Sequence, residues 1–294
     1  MARAISARLV FLADEAAGYE ARGLLGQHGL SVLVETVDEG GQVHRVLFDT
    51  GQYGGAVVHN ARLLGLDLAS VEAIALSHHH YDHTGGLKEV LEAIGKSTPV
   101  IGHVDLFKPS IYIRDNNIRL DIGIPYNRGE LEALGAKFLL LRRSIEVAPG
   151  IYWLGEIPRE YPELAPGLPG NYTISYDGEL VPHTLRDDTG LAIMVEGYGL
   201  IVIGGCSHSG IVNIAAYASR LLNEAPRLVT GGFHMVSMNE EKIREAARAL
   251  RELGVEEVHT GHCTGLRAEC MLREMYRDKF NKIHTGYVIE IKGE

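Results

Sequence analysis

Short apolar, β-branched runs recur along the chain, at residues 30–37, 43–49, 73–77, 100–103, 191–195, 200–203, 228–230 and 258–260. Several end in Gly, Asp or Ser, as strands do where they enter turns. Between them, apolar positions repeat with helical period over residues 56–64, 87–94, 211–222, 240–253 and 268–276. Early runs pair like hairpins, as 30–37 and 43–49 do around Glu39-Gly40-Gly41, whereas later ones alternate strand with helix. This mixture predicts an α/β (α+β) fold with sheets in the middle and helices outside. Residues 108–170 break the pattern, being rich in Pro, Gly, Tyr, Asn and Arg with weak periodicity. They read as an insertion or lid within a single domain spanning 1–294, with short strands near 138–141 and 151–154.

Composition narrows the picture only modestly. With 294 residues, 46% of them hydrophobic, the chain can bury a large core. A formal net charge of −10 leaves no basic footprint for nucleic acid. Three cysteines, Cys206, Cys263 and Cys270, lack CxxC spacing and cannot build a disulfide framework, so reduced thiols are expected. The first residues lack a signal-peptide apolar region, and no run approaches the roughly 20 apolar residues that span a bilayer. A soluble cytoplasmic protein is expected, with no nucleic-acid or membrane partner and self-association left open.

The apolar run 71–76 leads into Ser77-His78-His79-His80-Tyr81-Asp82-His83, followed by Gly85-Gly86. Neutral imidazoles and an ionised carboxylate are the ligands of a borderline metal such as zinc. At this His and Asp content, chance would produce the four fixed positions in roughly one such chain in several hundred. Positions two apart on an extended segment point the same way, so His78 and His80 can clasp one ion while Asp82 and His83 address a second. Three later histidines share the placing at a strand end beside glycine: His208, His234 and His262. His208 and His262 are candidate ligands; His234 is a weaker one and could instead face substrate. Cys206 is also a weaker candidate, because a buried free cysteine is commonly packing. Asp49 and Asp187-Asp188 stand where they could anchor or orient ligands. His28, His44, His259 and His284 read as ordinary polar or packed residues.

These motifs resemble the metallo-β-lactamase superfamily: His78-x-His80-x-Asp82-His83 matches its signature and Gly261-His262 its last ligand motif. Further stretches narrow the likeness, among them His28-Gly29-Leu30-Ser31, Leu47-Phe48-Asp49-Thr50-Gly51-Gln52, Gly155-Glu156-Ile157-Pro158-Arg159, Gly205-Cys206-Ser207-His208 and Gly232-Phe233-His234. In that order they resemble the subgroup of 7,8-dihydropterin-6-methyl-4-(β-D-ribofuranosyl)aminobenzene-5′-phosphate synthases, of methanopterin biosynthesis. The superfamily's usual His-Thr-x-Gly-His motif is absent, and Gly205-Cys206 replaces its Gly-Asp, so His208 becomes the third-ligand candidate. His183, in Val181-Pro182-His183, stands where an acid is expected in relatives.

The resemblance implies a four-layer αββα sandwich with a dinuclear site at one edge. It also implies two divalent metal ions, zinc first because His80 stands where di-iron relatives carry Glu, with manganese or iron as alternatives. The implied reaction displaces diphosphate from a pterin-methyl diphosphate, with Asp82 as ligand and catalytic proton acceptor. Lys108, Arg114, Arg119 and Arg159 are candidate phosphate contacts. The same ligands would equally serve a hydrolase of a phosphodiester, lactone or other ester working through metal-bound hydroxide.

Overall fold

The computed structural model describes residues 2–19, 22–114 and 117–293, with the side chains of 114 and 117–120 outside that description. Two seven-stranded sheets face each other. The first runs Val288–Lys292, Ser6–Ala13, Ser31–Val37, Val43–Phe48, Ala73–Ala75, Thr98–His103 and Ala136–Leu141. Its first four strands pair antiparallel, and from Val43–Phe48 onward pairing is parallel. The second runs Phe280–Lys282, Glu257–Gly261, Pro226–Gly232, Gly199–Gly204, Gly190–Val195, Ile151–Trp153 and Ile145–Ala148, parallel through its first four strands and antiparallel beyond.

Both faces of each sheet are covered, and the sequence shows it. Gly190–Val195 is buried at every position, as expected of a strand packed on two sides. Phe11, Phe48, Trp153, Ile193 and Ile203 fill the space between the sheets. Helices Gly54–Leu63 and Leu87–Ile94 close a second core with Leu47, Ile74 and Val100 beneath them. Helices Ile211–Leu222, Glu240–Glu252 and Leu266–Tyr276 close a third on the opposite outer face. Glu240–Glu252 shows why such a helix forms. Asn239 caps it by accepting from the Lys242 amide, and Ile243, Ala246, Ala247 and Leu250 line one buried stripe. The result is the αββα sandwich.

Residues 108–170 supply strands to three sheets. Ala136–Leu141 edges the first, Ile145–Ala148 and Ile151–Trp153 edge the second, and Ile111–Arg114 with Asn117–Asp121 join Asn171–Ile174 and Leu180–Pro182 in a four-stranded sheet. The indole of Trp153, fully buried, donates to the Leu76 carbonyl at 2.9 Å. It thereby ties the second sheet to the strand end that leads into His78. No helix among the described residues is long and apolar enough to cross a membrane.

Candidate metal centre

The parallel strands of both sheets deliver their C-terminal ends to one edge, where the histidine-bearing turns converge. Close backbone approach there requires glycine. A Cβ on Gly205 would stand 2.2 Å from the Ser77 hydroxyl, and one on Gly29 would stand 1.9 Å from the Asp82 carbonyl. Among the described residues seven non-glycine positions have left-handed backbone, and four of them, Asp49, Ser207, His234 and His262, lie in turns at this edge. Strained backbone of this kind concentrates where function fixes side-chain direction.

Two sets of donor atoms result, each with its members within 4.8 Å of one another: His78, His80 and His208, and Asp82, His83, Cys206 and His262. In the first, His78 Nε2 and His80 Nδ1 lie 3.0 Å apart. In the second, His83 Nε2 stands 3.1 Å from His262 Nε2 and 3.2 Å from Cys206 Sγ, and Cys206 Sγ is 3.2 Å from His262 Nε2. Asp82 Oδ2 is 3.5 Å from both imidazoles. Tetrahedral ligands about 2.0–2.3 Å from a zinc ion are separated by roughly 3.3–3.7 Å, so the donors are spaced for an ion.

Hydrogen bonding orients the rings as metal-binding imidazoles are oriented. Nδ1 of His83 donates to Asp49 Oδ2 at 2.6 Å, Nδ1 of His208 to the Gly167 carbonyl at 3.0 Å, and Nδ1 of His262 to Glu15 Oε1 at 2.8 Å. In the neutral ring each bond leaves Nε2 with its lone pair. Nε2 of His208 is buried and has no partner among the described residues, as expected of a ligand nitrogen. Asp49 also accepts from the Ser77 amide and hydroxyl, both at 2.7 Å. Asp188 accepts from the His208 and Ser209 amides, and Asp187 accepts from the His79 amide and ring.

Electrostatics separate the two sets. Burial, then neighbouring imidazoles, push His78 and His80 well down and His208 to about 3, which keeps all three neutral, the form that binds metal. Burial opposes charge on His83, yet Asp82 and Asp49 lift it to about 9. Burial likewise opposes charge on Asp82, but His83 and His262 hold its carboxyl well below the usual range. The first set is thus neutral and the second carries ion pairs that a cation would replace.

Other candidates fall around these sets. The His234 ring packs 4.2 Å from that of His208, and His234, Cys206 and Cys263 form a further donor group. His183 packs 4.8 Å from His79, away from both ligand sets. Among the proposed phosphate contacts, Lys108 pairs with Asp105 and Arg159 donates to the Thr184 and Leu185 carbonyls. The side chains of Arg114 and Arg119 lie outside the described residues.

His28 is the residue that sequence reasoning passed over. Its Nδ1 donates to Glu15 at 2.8 Å, and its Nε2 stands 3.4 Å from Asp82 Oδ2 at the half-exposed mouth of the site. Glu15 therefore holds His28 and His262 together; burial opposes its charge, but those two histidines lower its carboxyl to about 2. The Glu15–His28 spacing carries no motif; only the likeness of His28-Gly29-Leu30-Ser31 to the synthase subgroup singled the segment out.

An αββα sandwich with oriented imidazoles, carboxylates and a thiol at the edge of its sheets defines a metal-dependent enzyme. The chain belongs to the metallo-beta-lactamase superfamily, whose family model matches residues 26–222. It is 36% identical over 288 residues to the 7,8-dihydropterin-6-methyl-4-(beta-D-ribofuranosyl)-aminobenzene-5′-phosphate synthase of Methanocaldococcus jannaschii, covering 96% of each chain. A second protein of that organism, of uncharacterized function, is 30% identical over 266 residues, covering 90% of this chain and 94% of its own. Among solved structures, a metal-dependent hydrolase of the beta-lactamase superfamily superposes with a TM-score of 0.79 at 28% identity, over 97% of this chain and 99% of that one.

Proposed function

We propose that this chain is a dinuclear-metal synthase joining a dihydropterin-methyl diphosphate to the arylamine of a ribofuranosyl-aminobenzene phosphate. The observation that carries the reading is the 36% identity to a synthase so named, sustained over 96% of both chains. His78, His80 and His208, with His234 beside them, would hold one ion; Asp82, His83, Cys206 and His262 would hold the other. Zinc suits this nitrogen, carboxylate and thiol set, with manganese and iron as alternatives. When bound, such ions supply Lewis acidity and a clamp for phosphoryl oxygens.

The chain's own residues supply the rest. Coupling breaks the bond from the pterin methyl carbon to diphosphate and forms a carbon–nitrogen bond to the arylamine, whose proton must leave. Asp82, ionised and buried, would be the acceptor, with His28 3.4 Å away at the mouth of the site to receive the proton next. Asp49, Glu15 and Asp188 hold the imidazole-bearing turns in place. The four-stranded sheet and its loops, from the 108–170 stretch onward, would form the lid of a single domain. Lys108, within reach of solvent, would meet phosphate oxygens there.

A hydrolase reading has one observation of its own, the metal-dependent hydrolase among the solved relatives. Incubation with both substrates separates the two readings. The synthase reading expects coupled product with stoichiometric diphosphate release. Efficient hydrolysis of a generic phosphodiester with no coupled product would overturn it. Elemental analysis of protein purified without chelators should find about two metal equivalents per chain.

A further inference from the structure

Two clefts of about 760 and 500 Å³ meet along Tyr81, Pro125 and Tyr126, beside the turn that carries Asp82. Either volume is within the roughly 300–1,000 Å³ typical of small-molecule sites. The smaller is walled by Tyr53, Tyr81 and Tyr126 and also lined by Glu89. The hydroxyl of Tyr126 donates to the Gly85 carbonyl at 2.7 Å, which fixes that ring as a wall. Gln27 bonds both the amide and the carbonyl of Tyr53, at 2.7 and 3.2 Å, yet 62% of Tyr53 remains exposed. An aromatic ring on an anchored backbone with a free face is suited to stack on a planar ligand.

Glu89 gives the cleft its polarity. It lies in the first turn of Leu87–Ile94, and its Oε2 is buried with no hydrogen-bond partner among the described residues. Gly54 opposite leaves the space, since a Cβ there would stand 2.8 Å from that oxygen. Buried acceptors without a donor are uncommon and mark places where a ligand or water supplies one. The carboxylate torsion is broad, so a small rotation presents both oxygens to the cleft.

We propose that this smaller cleft binds a 2-amino-4-oxopyrimidine ring, with Glu89 accepting from the ring N–H and the adjacent amino group. Two neighbouring donors on one ring edge match a carboxylate's two oxygens, as the guanidinium fork does. The three tyrosines supply the apolar walls. This inference rests on the synthase reading and places the pterin half of its substrate next to Asp82.

Fluorescence titration of the full chain with 6-hydroxymethylpterin and 6-hydroxymethyllumazine tests it, since an oxygen replaces the 2-amino group in the second ligand. Wild type should bind the pterin about 10-fold more tightly, the worth of one charge-assisted hydrogen bond. Glu89→Gln should erase that preference with metal content and melting temperature unchanged, while Tyr53→Ala should weaken both ligands alike. No binding by wild type, equal binding of the two ligands, or a preference that survives Glu89→Gln would overturn the subsite. Coupling turnover on the same preparations reads the function separately. Coupling with a Glu89-independent pterin KM would remove the subsite and keep the synthase. A Glu89-dependent preference without any coupling would keep the subsite and remove the synthase.

Discussion

His208 shows how a single side chain earns its place through what surrounds it. Its Nδ1 proton is taken by Gly167, its amide by Asp188, and its Nε2 is buried with nothing to meet among the described residues. His208→Ala should therefore lower activity at least 100-fold and remove about one metal equivalent per chain, read by elemental analysis, while circular dichroism stays native. Retained turnover would exclude it as a ligand. Glu15 acts one step further out. Glu15→Gln weakens the bond to His262 and to His28 together, and a 10–100-fold loss of metal affinity or activity is expected. Trp153 acts through structure instead. Trp153→Phe leaves the Leu76 carbonyl without its donor and opens a small cavity between the sheets. A loss of about 2 kcal/mol in urea unfolding is expected, and no loss would show that the indole bond is dispensable.

Between strands, the charge ladder Arg8–Glu35–Arg45 crosses three neighbours of the first sheet at paired positions. Glu35 accepts from Arg8 and Arg45, both at 2.7 Å. Burial works against its charge, but the two guanidiniums hold its carboxyl below the usual 4.5. A lowered folded value contributes stability that is complete above the unfolded value and fades as pH falls through the folded one. Glu35→Gln should accordingly cost about 1 kcal/mol at pH 7 and progressively less below about pH 4.5, measured by urea unfolding across that range. A pH-independent difference would mean that packing, not charge, carries the effect. Elements like these were unevenly legible. Leu87–Ile94 and Ile211–Leu222 match their apolar periods end to end, because each buries its apolar positions against a sheet. The edge strands Phe280–Lys282 and Val288–Lys292 carry too few buried positions to leave a period, and Ser6–Ala13 is a nearly unbroken apolar run that alternation does not mark. The site was read from its histidines because glycine flanks them at strand ends. His28 and Glu15 escaped because nothing local distinguishes them, and only the fold brings them within 2.8 Å of each other.

At the scale of the whole molecule, the two donor sets draw on both halves of the chain. His78, His80, Asp82 and His83 follow a strand of the first sheet, whereas Cys206, His208 and His262 follow strands of the second. An ion in either set would tie the sheets together at the edge where backbone is strained and buried imidazoles crowd within about 5 Å centroid to centroid. Without it, His83 and His262 face each other with raised affinity for protons, and His208 has an unsatisfied nitrogen. Binding to the folded state alone adds about 2.7 kcal/mol when free metal is 100 times its Kd. For a chain of 294 residues that is a shift of roughly 4 °C in melting temperature. Dialysis against a chelator should therefore lower the melting temperature by about that amount, and readdition of zinc should restore it. The shift should shrink in His208→Ala and shrink further when His262→Ala is added, because each substitution removes one side of the cross-link. An unchanged melting temperature after complete metal removal, confirmed by elemental analysis, would mean that the sheets are held by their own cores and that the metal serves chemistry alone.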